Sequence, residues 1–352
     1  TANEINLADP DFESPQVARY SLAVDRDLWF GFVGTLEGIY TQTLYDVLYR
    51  ELNLGAPTAQ KVEGRTRYAG RRISSFANVT EITNTDEGYS YSLTAQLQRS
   101  FRSGWDLQAA YTRAVNRDVN SLVSSQAFSN FQTNPIDDDP NDPDLRPSNY
   151  DVPNRVLVSG SYKLEWSRRA PLDVSFIYTG ESGRPYSYTY SGDVNNDGSN
   201  QNDLLYVPRD PSDIRFTGTP AEQATSWQNL NAFIESVDCL RENRGRVLPR
   251  NACRQPWRNR FDVRLAQTIP TLRGQGLQAI VNVINVANLL NDEWGIDRYV
   301  FNQRHELLAT SSTTPDANGK VLFRPFGAGR RQFDSRNLDS RYQVQLGLRY
   351  SF

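Results

Sequence analysis

The run Asp193-Val-Asn195-Asn-Asp197-Gly198-Ser-Asn-Gln-Asn-Asp203 carries oxygen ligands at its first, third and fifth positions and glycine at its sixth. That order suits a hard cation wrapped by a tight loop, so Ca2+ is the chemistry to test at Asp193, Asn195, Asp197 and Asp203. The fit is incomplete. The closing acid stands eleventh and is Asp203, where an EF-hand loop has a Glu twelfth, and Leu204 fills the twelfth place. An Asx-rich turn uses the same residues for local backbone bonding, and the sequence leaves that as the commoner reading.

Asp137, Asp138 and Asp139, followed by Asp142 and Asp144, lie among prolines, where divalent ions near lipopolysaccharide compete with a plain solvated loop as the explanation. Cys239 and Cys253 are the only cysteines. In an envelope protein they are expected to pair, closing a loop worth roughly 3 kcal/mol on the chain-entropy model; in a reducing compartment they would be free thiols. His305 is the only histidine and stands beside Glu306. One histidine supports neither a dyad nor a His-rich metal site, so the expectation is an exposed loop residue and no enzyme.

These residues lie between segments of strict period-two alternation. Tyr342, Val344, Leu346, Leu348, Tyr350 and Phe352 share one face, and Arg341, Gln343, Gln345, Gly347, Arg349 and Ser351 the other. Tyr89, Tyr91, Leu93, Ala95, Leu97 and Phe101 alternate with Ser90, Ser92, Thr94, Gln96, Gln98 and Ser100; after Arg102-Ser103-Gly104 the pattern resumes at Trp105, Leu107, Ala109 and Tyr111. Such pairs must be antiparallel hairpins. The unit recurs from Val156 through Trp166 to Tyr178, from Phe261 to Val283, and from Ala18 through Trp29-Phe30-Gly31 to Tyr40. A helix is expected only at about Ala221 to Arg241.

Short turns near 29–31, 102–104, 167–170 and 271–275 alternate with long polar segments near 51–87, 117–153, 185–257 and 290–340. Outer-membrane barrels place their loops in this way. Aromatics cluster toward both strand ends, with Trp105, Trp166, Tyr350 and Phe352 as the interface anchors expected near the short turns. Arg260, Asp262 and Arg264 alternate on the opposite face as lumen charges, pairing among themselves or contacting a plug or substrate. Ile280 and Ile284 break the polar-lumen pattern. Segments of ten to fourteen alternating residues exceed the usual strand of globular sheets. The expected fold is an all-β antiparallel transmembrane barrel of about nine or ten strands, part of a larger barrel, with one short helix in an external loop.

The chain has 352 residues, 38% of them hydrophobic, with 18 Tyr and no Met. No apolar run reaches the length of a membrane helix. The missing Met suggests that residue 1 is not the translation start. A net charge of −3 argues against a nucleic-acid partner.

Tyr89-Ser-Tyr-Ser-Leu-Thr-Ala-Gln-Leu-Gln98, Gly183-Arg-Pro-Tyr-Ser-Tyr188, Gly192-Asp-Val-Asn-Asn-Asp-Gly198, Asn202-Asp-Leu-Leu-Tyr-Val-Pro208 and Val283-Ile-Asn-Val-Ala-Asn-Leu-Leu-Asn291 occur in that order. As an ordered set ending on Phe352 they resemble the barrel of Oar-like TonB-dependent outer-membrane receptors. The resemblance implies a 22-stranded plugged barrel. It implies that residues 1–352 are its C-terminal part, with the plug and the N-terminal domains absent. It also implies partners: outer-membrane lipid, the plug of the same protein, TonB through the N-terminal region, and the outer-membrane assembly machinery reading the last strand. No cofactor is required, and Ca2+ at the acidic loop stays open. Uptake or passage of a solute or peptide across the outer membrane is the leading expectation, with the C-terminus periplasmic and the long loops extracellular. A structural or adhesive surface barrel that binds a partner through its loops is the alternative.

Overall fold

The computed structural model describes residues 3–167, 169–271 and 275–352. Two of the expected turns, at 167–170 and 271–275, fall partly outside the described residues. A short strand β1 (Asn3–Ala8) leads into β2 (Gln16–Asp27), which returns through a 3-10 turn at Trp29–Gly31 into β3 (Val33–Glu51). Then come β4 (Phe76–Thr85), β5 (Gly88–Ser100) and β6 (Trp105–Asp118), followed by helix α1 (Ala127–Thr133) and the hairpin β7 (Asn154–Leu164) and β8 (Leu172–Glu181). The next long connection holds β9 (Pro185–Ser191), β10 (Arg215–Phe216), α2 (Pro220–Ser236), α3 (Asp238–Arg241) and β11 (Cys253–Arg254). The hairpin β12 (Arg258–Pro270) and β13 (Gly276–Ile284) precedes α4 (Val286–Leu290), β14 (Arg304–Ser312), β15 (Leu322–Phe323) and the last strand, β16 (Gln343–Ser351).

Among the described residues the wall runs β2-β3-β5-β6-β7-β8-β12-β13-β16, every neighbour antiparallel, which is nine spanning strands. β4 pairs with the upper half of β3 in the same register as β5 with the lower half, so β4 and β5 act as one long strand broken at Asp86 and Glu87. Among the described residues β2 pairs only with β3, and β16 only with β13, so the ribbon has two open edges. Nine alternating strands leave those edges running in the same direction.

Register explains the aromatic belts. Tyr20 is opposite Tyr40 and Tyr40 opposite Tyr91, a row on the outer face toward the long connections. At the short-turn end Trp105 pairs with Tyr162, their ring centroids 4.6 Å apart. Between these rows lie Leu36, Leu93, Leu97 and Leu107, all exposed. A wall one residue thick has no interior of its own, and an apolar face left bare in this way is suited to lipid.

The hydrophobic core lies elsewhere. Val62, Tyr186, Tyr188, Tyr190, Leu230, Phe233, Ile234, Leu307 and Phe323 belong to one buried cluster, and every member comes from a long connection. A second sheet, β10-β15-β14-β9-β11, joins the third connection to the fourth through parallel pairing of β9 with β14. Helix α2 covers it with Leu230, Phe233 and Ile234, placed at helical spacing. Its start is fixed by a capping box, Thr219 and Glu222 bonding reciprocally with Pro220 at the first turn. The long connections thus fold together into a cap at one end of the wall, where the sequence suggests polar loops holding one short helix. The helix expected at about 221–241 is present as α2 and α3, and α1 and α4 add two short helical turns.

Candidate functional site

On β12, Arg260, Asp262 and Arg264 project from the inner face, opposite to Phe261, Val263 and Leu265. Arg260 Nε donates to both Asp262 oxygens at 3.1 and 3.0 Å, and Asp262 Oδ1 also accepts from the Asn285 amide at 2.8 Å. Arg260 and Asp262 therefore pair with each other, while Arg264 reaches Asn282 Oδ1 at 3.5 Å. Further up the wall the pairing continues through residues that sequence reading missed. Glu181 meets Arg155 and Arg258; Asp297 meets Arg258 at 3.4 Å and Arg336 at 3.6 Å; Arg336 reaches Asp339 at 3.8 Å. These six side chains carry charge from the wall into the fourth connection. Arg258 lies two residues before Arg260, and extending the alternation one step would have found it; Asp297 and Arg336 come from the chain's return and leave no local signal. A recess of about 330 Å3 opens against Arg155, Glu181, Arg258 and Asp262.

Below it the inner face turns apolar. Ile177 pairs with Asp262, and Ile284 with Gln343. With Arg264, Asn282 and Gln345 they border a recess of about 340 Å3. Ile280, opposite Gly347, continues the stripe.

The interface aromatics stand where alternation puts them. Trp105, Trp166, Tyr350 and Phe352 are all exposed at the short-turn end. Cys239 of α3 and Cys253 of β11 form a disulfide, with 5.4 Å between their Cα atoms. It fastens the helical part of the cap to the short edge strand of the cap's own sheet, which pairs with β9. His305 is not a loop residue: it sits on β14, half-buried, its ring 5.1 Å from that of Tyr188, with Nε2 3.1 Å from the Arg331 carbonyl oxygen. The acidic run of the second connection is used locally and across loops: Asp137 pairs with Arg146 at 2.9 Å, and Asp138 accepts from the Thr66 amide at 2.6 Å.

The acidic loop is buried inside the cap. Asp193 accepts from the amides of Asp197 and Gly198 at 3.1 and 2.9 Å, Asn195 Oδ1 from Asp197 at 3.0 Å, and Asp197 Oδ1 from Ser199 at 2.8 Å. Gly198 has φ +93°, a conformation that side chains rarely adopt. Asp203 Oδ2 accepts from the Val194 and Asn195 amides at 2.6 and 3.3 Å, and its Oδ1 takes Arg65 Nη1 at 3.2 Å. The loop is a folded Asx turn, and Asp203 is bound to the backbone and to Arg65 rather than left free. Burial, with Asp203 next, pushes Asp193 up to about 7, and burial pushes Asp197 well above the usual carboxylate range. Asp203 is also raised by burial, with Arg65 opposing.

Arg65 is the hinge pin between connections. It also donates to Leu204 O at 2.6 Å and lies 3.4 Å from Glu63, while Tyr190 OH donates to Glu63 Oε2 at 2.8 Å. Burial drives the Glu63 carboxyl up to about 7 against the pull of Arg65 and Tyr190.

An antiparallel wall with an exposed aliphatic band between aromatic rows, a charged inner face and all long connections at one end defines a membrane-spanning β-barrel. The chain belongs to the outer membrane beta barrel domain family, whose model matches residues 1–293. It is thus an outer-membrane protein, and the matched span ends just past β13, so β16 is tied to the wall by its nine-residue pairing with β13. No curated protein matches the sequence.

Proposed function

We propose that the chain is the C-terminal barrel portion of an Oar-like TonB-dependent receptor that carries a solute or peptide across the outer membrane. The observation that carries this reading is the inner face, where an apolar stripe of Ile177, Ile280 and Ile284 adjoins paired charges. A water-filled pore has no use for such a stripe, whereas a plug folded inside the barrel would cover it. The open edges support the same reading. Backbone groups at an edge cannot face lipid unpaired, and edges that run in the same direction need an odd number of further strands to close an antiparallel barrel.

The orientation that fits has the long connections outside and the C-terminus in the periplasm, where the assembly machinery would read β16. The disulfide in the cap suits the oxidising side. The partners that follow are lipid, the plug and TonB, with no nucleic acid and no catalytic role. Uptake by cells expressing the full-length gene product, with and without a functional TonB, tests the reading. Uptake should vanish without TonB; transport that continues unchanged would sink it.

A folded cap with its own core favours a second reading, an adhesive surface barrel. Replacing the third and fourth connections in the full-length protein should abolish adhesion on that reading, while energised uptake need not follow.

A further inference from the structure

We infer that a recess between the upper end of the wall and the fourth connection holds the C-terminal carboxylate of a peptide lying across the inner face. The inference rests on the reading of the chain as a barrel that passes a solute or peptide, and it names which of the two.

Charge points to the anion. A recess of about 100 Å3 is bordered by Arg184, Arg258, Arg298 and Arg336 against only two carboxylates, Glu181 and Asp297. The site is cationic in a chain of net charge −3. Both carboxylates are already taken, Glu181 by Arg155 and Arg258, and Asp297 by Arg258 at 3.4 Å and Arg336 at 3.6 Å. Among the described residues Arg184 and Arg298 have no carboxylate partner, and both are exposed. Two unpaired guanidinium forks beside one small recess suit a carboxylate, which takes a guanidinium through two parallel hydrogen bonds. Pairing of Arg258 with Glu181, and of Glu181 with Arg155, places all three in one row of the inner face. Lipid lies against the other face, so a lipid phosphate is not the occupant.

Size and continuity describe the rest of the ligand. The small recess holds an anionic group and little more. Glu181 also borders the recess of about 330 Å3 and a third of about 400 Å3. The Arg184 guanidinium lies 5.8 Å from the ring centre of Tyr150, which borders the third recess, so the small and the large recess adjoin there as well. Across β3, β5 and β6 the floor of the third recess carries no charge, and its polar groups are those of Thr41, Ser90, Ser92, Thr112 and Asn116. Hydroxyls and amides suit a ligand that brings its own amide donors and acceptors. From β3 to β12 the wall takes five strand-to-strand steps, about 24 Å in all and the length of roughly seven extended residues. A small solute leaves most of that floor bare. A peptide with its charge at one end matches both the neutral floor and the cationic recess that closes it.

The test uses full-length protein in detergent, its folded barrel verified by heat-modifiable gel migration. The probe is a pool of peptides of about seven residues made without Asp or Glu, once as free acids and once as C-terminal amides. Retained peptides are counted by mass spectrometry. The wild type should retain the acids about tenfold or more over the amides, and Arg184→Gln combined with Arg298→Gln should bring the acids down to the level of the amides. Arg102→Gln removes the same charge from a short turn at the far end of the wall and should change nothing. No TonB is present, so binding can fail while uptake stays energised, and uptake can prove independent of TonB while binding holds. Equal retention of acids and amides, retention of neither, a folded double variant that still prefers acids, or an equal loss in Arg102→Gln would each overturn the proposal.

Discussion

Tyr190 OH donates a hydrogen bond to Glu63 Oε2 across 2.8 Å, joining residues 127 positions apart in the chain and linking the first long connection to the third. Arg65, Asp203 and Asp213 are the other charged groups that act on Glu63. The net effect is a carboxyl raised to about 7 from an ordinary 4.5. The native state therefore holds this proton more tightly than the unfolded chain does. The stabilisation is complete below about 4.5, and it is lost as pH rises through about 7. Glu63→Gln should remove that slope and leave the cap firmer at pH 8 than in the wild type, by on the order of 2 kcal/mol. Hydrogen exchange of cap amides at pH 5 and pH 8 reads this directly. An unaltered slope in the variant would count against it.

The disulfide predicts a loss confined to the cap. Replacing both Cys239 and Cys253 by Ser should cost about 3 kcal/mol of cap stability on the chain-entropy model. The wall shares none of the buried cluster, so barrel migration on a cold gel should not change. Proteolysis should instead open residues between β9 and β11 at lower protease concentration. Equal protease resistance with and without the cysteines would show that the core alone holds the cap.

The wall was legible because its signal is local. Alternation at Tyr89 to Phe101 or at Tyr342 to Phe352 assigns each side chain to a face without knowing its partner, and the faces match the pairings observed. The cap was not legible, for two physical reasons. The strand Pro185–Ser191 alternates Tyr186, Ser187, Tyr188, Thr189 and Tyr190 as a wall strand would, yet both sets are buried. Its partner is β14, more than a hundred residues away, and no local pattern encodes that pairing. The same holds at the acidic loop. Its residue types were visible in sequence, but Arg65, which pairs with Asp203, arrives from another connection.

The two faces of β5 should respond oppositely to one charge. Leu97 points outward between the aromatic rows, opposite Ala109 and Gly34, while Gln98 points inward opposite Gln108 and Val33. Leu97→Arg places a guanidinium in the lipid band at about 2–4 kcal/mol near the midplane, whereas Gln98→Arg puts it among polar lumen groups. The folded fraction in outer membranes, read from heat-modifiable migration, should fall sharply for Leu97→Arg and little for Gln98→Arg. Equal losses would mean that the faces are assigned wrongly.

The apolar stripe in the lumen separates a plugged barrel from an open one. Ile177 and Ile284 flank a recess of about 340 Å3 beside Asp262 and Arg264, and register with Asp262 and Gln343 puts both on the inner face. If a plug packs there, replacing both by Asn removes apolar contacts worth about 1–3 kcal/mol each without disturbing strand pairing. The full-length variant should assemble at normal levels and yet leak. Its single-channel conductance in planar bilayers should rise above the near-closed wild-type level, and cells expressing it should become sensitive to large antibiotics that the outer membrane excludes. A wild-type protein that already conducts freely, or a variant that assembles and conducts no more than the wild type, would remove the reason for placing a plug against these residues.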